Sequence, residues 1–456
     1  MNTRLLGWFS ATICVMTLAG LAFGQQAAAP GNSPGPEQSA PPITLTLKDA
    51  LARAQMNAPQ LLSAINDANQ AREDVLQARA AQRPGVSFKS DYLGTQGNGV
   101  LPSGRFVTND GVHVYREWGV VHQDFTAALT KTGPQRAEAA EMLAQARAEI
   151  ARRGLTVTVT KAYYGLLTGQ RKYATAQQAL DQAKGYLDIT QKLENGGEVP
   201  RSDTVRADFR YSQQEQAFEE AKLAMDNARL DLAVLLFRDF NQNFTVVDDL
   251  TLASALPAFG DIQAMAEREN PDLRAANAAL RAASLDVKIA RQAFLPTLTA
   301  DVAYGIEANA FALHSTVAAA PEVGPLPNLG YFATISLNVP VWDWGARTSK
   351  VRQAQLKRDQ ANVELSATQR TLIRNLQGYY QEAQTARDQL ARLRHSMDQA
   401  SENLRLNGLR YQAGEATILE LVDAQTLLTG ARNAYDDGLV RYRLALANLQ
   451  TVTGTF

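Results

Sequence analysis

Cysteine is nearly absent from this chain. The one residue, Cys14, lies inside an apolar N-terminal run. Everything downstream is therefore without disulfides and without thiolate metal sites. Histidine is also sparse. The four residues His113, His122, His314 and His395 share no i, i+4 ligand spacing, which excludes a sequence-local metal motif. Net charge is missing too: 45 basic residues stand against 46 acidic ones, which gives no support to nucleic-acid binding. Beyond the N-terminal run there is no stretch of about 20 apolar residues, so no membrane-spanning helix is expected in the mature chain. No glycine-rich phosphate loop follows a strand, and no serine sits in a nucleophile elbow. Neither an enzyme nor a cofactor protein is expected.

The N-terminus reads as a secretory signal over residues 1–24. Arg4 supplies the positive region, Leu5 to Leu21 the apolar run, and Ala22-Phe23-Gly24 the small residues before a cleavage at Gln25. Cys14 follows Ala11-Thr12-Ile13, which is not lipoprotein spacing, so lipidation is not expected. Residues 25–42 are rich in Pro, Gly, Ala and Ser. They cannot bury an apolar face and are expected to be a disordered leader.

What is present is a duplication. Asn57-Ala58-Pro59-Gln60-Leu61 recurs as Glu269-Asn270-Pro271-Asp272-Leu273; Pro84, Tyr92 and Gly133 recur as Pro296, Tyr304 and Gly345, all 212 residues apart. Further on, Tyr163-Tyr164 matches Tyr379-Tyr380, and Gly197-Glu198 matches Gly414-Glu415, with a drift of four to five residues. A repeat this long points to a pseudo-symmetric assembly rather than to one catalytic pocket.

Each repeat (43–237 and 261–456, joined by a linker at 238–260) reads as helix, two strands, very long helix, turn and return helix. The first helices, Leu47–Gln82 and Asp261–Phe294, stop just before prolines. Strands follow. Thr297–Glu307 and Ala333–Val341 alternate apolar with polar residues, Val86–Tyr92 does the same, and Trp118–Leu129 does so less regularly. Each is about ten residues, the length of a tilted strand crossing a bilayer. Aromatics such as Tyr92, Tyr115, Trp118, Tyr304, Tyr331, Trp342 and Trp344 cluster near the strand ends, where an interfacial girdle would lie. The connections within each pair, Gly94–Gly111 and Ala308–Gly330, read as long loops at one end of a barrel. The long helices, Pro134–Leu193 and Ala346–Tyr411, would extend roughly 90 Å. Their apolar residues step by three and four, with alanine at many seam positions (Ala383, Ala386, Leu390, Leu393, Met397, Ala400, Leu404), as in a coiled-coil bundle. Gly196-Gly197 and Ala413-Gly414 break them, and Ser202–Leu236 and Thr417–Leu449 return antiparallel. Thr245-Val246-Val247 and Leu250-Thr251-Leu252 in the linker could pack as a short sheet around the middle of the helices.

Four long strands cannot close a barrel, and open edges are not tolerated in lipid. The chain is therefore expected to oligomerise, with two, three or four subunits giving eight, twelve or sixteen strands. The chain also resembles the TolC family of outer-membrane efflux proteins. Leu337-Asn338-Val339-Pro340-Val341-Trp342-Asp343-Trp344-Gly345-Ala346-Arg347 is similar to that family's strand-to-helix segment. Gly414-Glu415-Ala416-Thr417-Ile418-Leu419-Glu420-Leu421-Val422-Asp423-Ala424-Gln425 is similar to its helical-hairpin tip. The resemblance implies a mixed α and β membrane protein forming a homotrimer. Each protomer would give four strands to a transmembrane β-barrel and long helices to a periplasmic α-helical barrel. It also implies a location in the outer membrane lipid with a long periplasmic part, a periplasmic adaptor and an inner-membrane transporter as partners, and passive export through the duct.

The candidate functional site is the helix-hairpin tip. Glu420 and Asp423 are three apart and share one helix face. If that face lines a pore, symmetry copies them into carboxylate rings that favour cations, and by resemblance they fall on the family's acidic selectivity positions. Thr417-x-x-Glu420 is also a capping box, which would occupy the Glu420 carboxylate instead. Ser202 and Asp203 read on their own as helix capping and dipole compensation. By resemblance Asp203 and Tyr411, with Ser202 beside them, form the latch that holds the tip closed. Ala416 stands where the family's second gate link uses an arginine, and Arg201 is a candidate substitute. Gly197, Glu198, Gly414 and Glu415 would face the adaptor; simple helix termination accounts for the two glycines equally well. The function expected is an exit duct for a tripartite efflux pump or type I secretion system. The alternative is a soluble periplasmic coiled-coil, adaptor or stalk protein, which would not carry four alternating strands placed symmetrically in a duplication.

Overall fold

A computed structural model describes residues 43–94, 113–239, 242–250, 256–308, 311–318, 325–413 and 415–454. The expected signal peptide and leader, the first long loop over 95–112 and the linker stretch 251–255 lie outside the described residues. Among the described residues the chain order begins β1 (Ile43–Leu45), α1 (Leu47–Asn57), α2 (Pro59–Ala80), β2 (Gly85–Gly94), β3 (His113–Asp124), α3 (Phe125–Thr130), α4 (Thr132–Asn195) and α5 (Arg201–Leu236). It continues with β4 (Phe244–Val246), α6 (Phe259–Glu269), α7 (Pro271–Gln292), β5 (Thr297–Ala308), β6 (His314–Ala318), β7 (Pro325–Pro327), β8 (Leu329–Asn338), α8 (Ala346–Gln412) and α9 (Ile418–Thr453).

Local chemistry sets these boundaries. Thr46 and Asp49 form a capping box that starts α1. The helices expected over Leu47–Gln82 and Asp261–Phe294 are each split in two, because a residue before proline is pushed out of the α region. Ala58 and Asn270 are both extended (ψ 113° and 122°), and Pro59 and Pro271 open the next helix. Asn270 is almost fully buried, at 2% exposure. Its Oδ1 accepts the Leu273 N–H at 2.9 Å, and its Nδ2 donates to the Val452 carbonyl at 3.3 Å. The strand expected over Trp118–Leu129 stops at Asp124, whose Oδ1 accepts the Thr126 N–H at 2.8 Å and starts the short helix α3. The last strand runs Leu329–Asn338 rather than Ala333–Val341, since Pro340 has no N–H to give a ladder. The connection expected as a loop over Ala308–Gly330 carries the small β6–β7 hairpin.

The sheet order is β2-β3-β5-β8, antiparallel throughout. The register sorts side chains onto two faces. Val86, Phe88, Tyr92, Tyr115, Val121, Leu298, Val302, Tyr304, Tyr331, Ile335 and Leu337 share one face, where Glu117 is held by the Ser90 hydroxyl at 2.7 Å. The other face carries Lys89, Asp91, Arg116, His122, Asp301, Glu307, Thr334 and Ser336. Its polar groups meet in pairs: Arg116 with Glu307 and the His122 ring with the Asp301 carboxylate, both at 2.8 Å. Trp118 and Phe332 pack edge to face across this side, ring centroids 5.0 Å apart. Between their strands only Gly305 fits, because a Cβ there would run into the Glu117 carbonyl and the Trp118 Cα.

Helices α4 and α8 are 64 and 67 residues long, which is about 100 Å each. On the sheet side α4 packs between α2 and α7, and α7 packs on α8; on the far side α4 packs between α5 and α9, and α9 packs on α8. The layer is thus four helices wide on either side of the middle. At the middle β1 pairs with β4 in parallel. The linker does supply a short strand there, but its partner is the start of the described chain rather than a second linker segment. Tyr163 and Tyr164 are buried beneath it with Leu45, Leu232, Leu236 and Phe244, and the Tyr163 hydroxyl donates to the Val247 carbonyl at 2.7 Å. A second core joins Ile262, Leu376, Ala383, Tyr442 and Leu449.

Candidate functional site

The two hairpin turns lie at the end of the helices farthest from the sheet. The first is closed by a Schellman arrangement. The Gly197 N–H donates to Glu194 (2.9 Å), the Glu198 N–H to Leu193 (2.9 Å), and Gly197 sits at φ +77°. Glu198 is exposed. The second turn repeats the long bond: the Glu415 N–H donates to the Arg410 carbonyl at 2.8 Å. Gly414 lies outside the described residues, and Glu415 is exposed.

In the second hairpin Glu420 completes the capping box with Thr417. The Glu420 N–H donates to Thr417 Oγ1 at 3.4 Å, and the Thr417 N–H and hydroxyl donate to Glu420 Oε1 at 3.4 and 3.3 Å. The other oxygen, Oε2, accepts Arg410 Nη1 at 3.1 Å, while Arg410 Nη2 reaches the Glu415 carbonyl at 3.2 Å. The Thr417 backbone bond, and after it the Arg410 charge and bonds, hold the Glu420 carboxyl below its ordinary range. Asp423, one turn on, is exposed and among the described residues makes no hydrogen bond or ion pair. The two carboxylates share a face but not a condition: one is fully engaged and the other is free.

In the first hairpin Pro200, not Ser202, occupies the position before α5. Pro200 sets an extended φ of −72° and ψ of 150° there, so Ser202 lies two residues too deep to cap, and its hydroxyl instead donates to Asp203 Oδ1 at 3.4 Å. Asp203 is in the first helical turn, where its charge suits the dipole. Arg201 is exposed and without a hydrogen bond or ion pair among the described residues. Burial first, and then the Asp203 charge, push the Tyr411 hydroxyl above its usual range; burial and Tyr411 do the same to Tyr186. The fold therefore gathers Asp203, Tyr411 and Tyr186 into one electrostatic neighbourhood, with no hydrogen bond between Asp203 and Tyr411 inside the protomer.

Sequence reasoning missed Tyr186 and Arg410. Arg410 carried one signal, a basic residue in the last turn of a helix, but its reach across the turn to Glu420 depends on how the hairpin closes. It also missed a cavity of about 30 Å³ between the hairpins, lined by Tyr186, Arg210, Val422 and Gln425 among others, where the Gln425 Oε1 is buried and unpartnered. Among the described residues there is no His, Cys, Asp and Glu cluster able to hold a metal ion, and no helix is long and apolar enough to cross a membrane.

Residues 263–455 match the family described as Outer membrane efflux protein. The chain is 21% identical to the outer membrane protein TolC of Escherichia coli over 90% of this chain and 82% of that one. It is 27% identical to the pyoverdine export outer membrane protein OpmQ of Pseudomonas putida over 64% of this chain and 59% of that one. Its fold matches the Campylobacter jejuni CmeC outer membrane channel with a TM-score of 0.75 at 18% identity, covering 90% of this chain and 85% of that one.

Proposed function

We infer the working form from family membership: this chain belongs to the TolC family of outer-membrane efflux proteins and is an outer-membrane efflux channel, in which three copies close one duct. The observation that carries the assembly is the open sheet. Strands β2 and β8 are its edges, and both present large apolar side chains, with Val86 79% and Ile335 76% exposed. Such edges and such a face are costly in water, and open edges are costly in lipid. Closing β8 of one protomer onto β2 of the next satisfies both, puts the tyrosine-rich face toward lipid and turns the charged face inward. Three chains, each four strands and four helices wide, make a twelve-stranded barrel on a twelve-helix tunnel. In the helices the chain edges are α5 and α8 on the far side of the middle and α2 and α8 on the sheet side; Phe209, Leu223 and Val234 of α5 and Leu356 and Val363 of the sheet-side stretch of α8 are exposed and would pack between protomers.

The tips then converge on the axis as the entrance. Asp423 lines the narrowest ring with Glu420 beside it, and Asp203, Ser202 and Tyr411 latch the hairpins across protomers. Gly197, Glu198, Gly414 and Glu415 face a periplasmic adaptor, and an inner-membrane transporter supplies the energy. What supports this is the exposure of the turn residues and the closeness of Tyr411 to Asp203 without a bond inside one chain. The test is the mass and conductance of protein extracted from outer membranes in detergent. A trimer that opens ion channels in planar bilayers is expected. A water-soluble monomer without channel activity would refute the duct.

A further inference from the structure

We propose that Arg410 sets the charge selectivity of the entrance: by pairing with Glu420 it neutralises one of the two carboxylate rings and leaves Asp423 as the one that acts on passing ions. This rests on the reading of the tips as the constriction. Both Glu420 oxygens are committed, Oε1 to the Thr417 backbone and hydroxyl and Oε2 to Arg410. Arg410 is itself anchored at both ends of its guanidinium, to Glu420 and to the Glu415 carbonyl, and a planar fork held this way keeps its position better than a lysine would. Asp423 has no such partner among the described residues. A ring of ion pairs carries dipoles rather than net charge, so its field falls off faster with distance than that of a ring of bare carboxylates. The ligands concerned are small cations and cationic cargo, which a bare acidic ring concentrates and a neutralised one does not.

The experiment is the reversal potential of trimers in planar bilayers under a potassium chloride gradient, for wild type, Arg410→Gln, Arg410→Lys, Glu420→Gln, Arg410→Gln/Glu420→Gln and Asp423→Asn. Arg410→Gln is expected to raise cation preference. Three unit charges one Debye length from the axis, about 10 Å at ~0.1 M salt, would change entry of each ion by roughly twofold, in opposite directions for the two signs. Glu420→Gln alone, which unmasks Arg410, is expected to shift selectivity toward anions. The double variant and Arg410→Lys are expected to return to the wild-type value, and Asp423→Asn to lose most cation preference. A purely mechanical role for Arg410 in the turn would change unit conductance or open time in Arg410→Gln and leave the reversal potential where it was, which would overturn the proposal while the Asp423→Asn effect kept the constriction. If neither Arg410→Gln nor Asp423→Asn moves the reversal potential, the narrowest point lies elsewhere and both readings fall.

Discussion

Removing Arg171 should loosen the belt at the middle of the helices without unfolding them. Arg171 stands on α4 and ties together two other parts of the chain. Its Nη1 donates to Asp436 of α9 at 2.6 Å, while Nε and Nη2 donate to Asp248 of the linker at 2.9 and 2.6 Å. The two halves of this clamp are not worth the same. The Asp436 side chain is 12% exposed and that of Asp248 44%. The exposed pair is worth at most about 1 kcal/mol. The charge-assisted bond to the shielded Asp436 is worth about 1.5–3 kcal/mol, and its loss leaves a carboxylate short of partners. Arg171→Met, which keeps the apolar stem, should therefore cost about 2 kcal/mol of local opening free energy. At 1.4 kcal/mol per decade this is a roughly thirtyfold faster exchange of protected amides, concentrated in residues 244–250 and the facing turn of α9. Hydrogen exchange with mass spectrometry reads both segments. Arg171→Met/Asp436→Leu should recover much of the protection, because an apolar pair replaces a broken ionic one. Unchanged exchange over 244–250 in a properly assembled Arg171→Met protein would show that the clamp is surface decoration and that the buried tyrosines alone hold the linker.

Burial pushes the Tyr164 hydroxyl up to about 12 from an ordinary 10.0, against the opposing pull of Arg443, which lies 5.3 Å from its ring centroid. A raised folded-state value means stability is fully present below pH 10 and is lost as pH rises from there toward 12; ultraviolet titration of wild type against Tyr164→Phe should show the missing tyrosine among the last to ionise, and an early ionisation would refute the burial argument. Asp343 behaves with the opposite sign. Its carboxylate accepts Arg347 Nε at 2.6 Å, the Arg347 N–H at 2.8 Å and the Gly345 N–H at 3.1 Å, and these bonds, the Arg347 side chain first, hold it below its ordinary 3.8. Its contribution is present above that value and lost as pH falls below it, so Asp343→Asn should lower the thermal stability of the protein at neutral pH and erase part of its acid dependence in melts followed by circular dichroism; an unaltered acid dependence would count against it. Gly305→Ala should cost at least about 3 kcal/mol from overpacking in the sheet and deplete the assembled oligomer in outer-membrane fractions, whereas assembly at the wild-type level would mean the β3–β5 spacing is not as close as described.

Much of the fold was readable from residue spacing. The two-residue alternation of Thr297–Glu307 and of Val86–Tyr92 specifies which side chains share a face of a strand, whatever the neighbours turn out to be. The three-and-four stepping of Ala383 to Leu404 specifies the buried stripe of α8 in the same way. Thr417 and Glu420 announced a capping box because both partners lie within one turn. Readings failed where a local signal was short or had a competitor. Phe125–Thr130 looks like a continuation of a strand, yet Asp124 offers its carboxylate to the Thr126 N–H and starts a helix. The prolines at 59 and 271 were read as part of one helix, although each restricts the residue before it.

What the sequence by itself determined is everything carried by neighbours a few residues apart: the periods, the caps, the breaks, and the duplication that sets strands and long helices in the same order twice. What only the tertiary structure decided is what joins distant residues. Ile43–Leu45 pairs with Phe244–Val246 about 200 positions later, Arg171 reaches Asp436, and the closed turn carries the Arg410 guanidinium to Glu420. The physical reason is range. A dihedral preference or a cap acts over one turn, whereas the partner of a buried charge or an open strand edge is chosen by the packing of the whole chain, and many partners of equal chemistry are available until that packing exists.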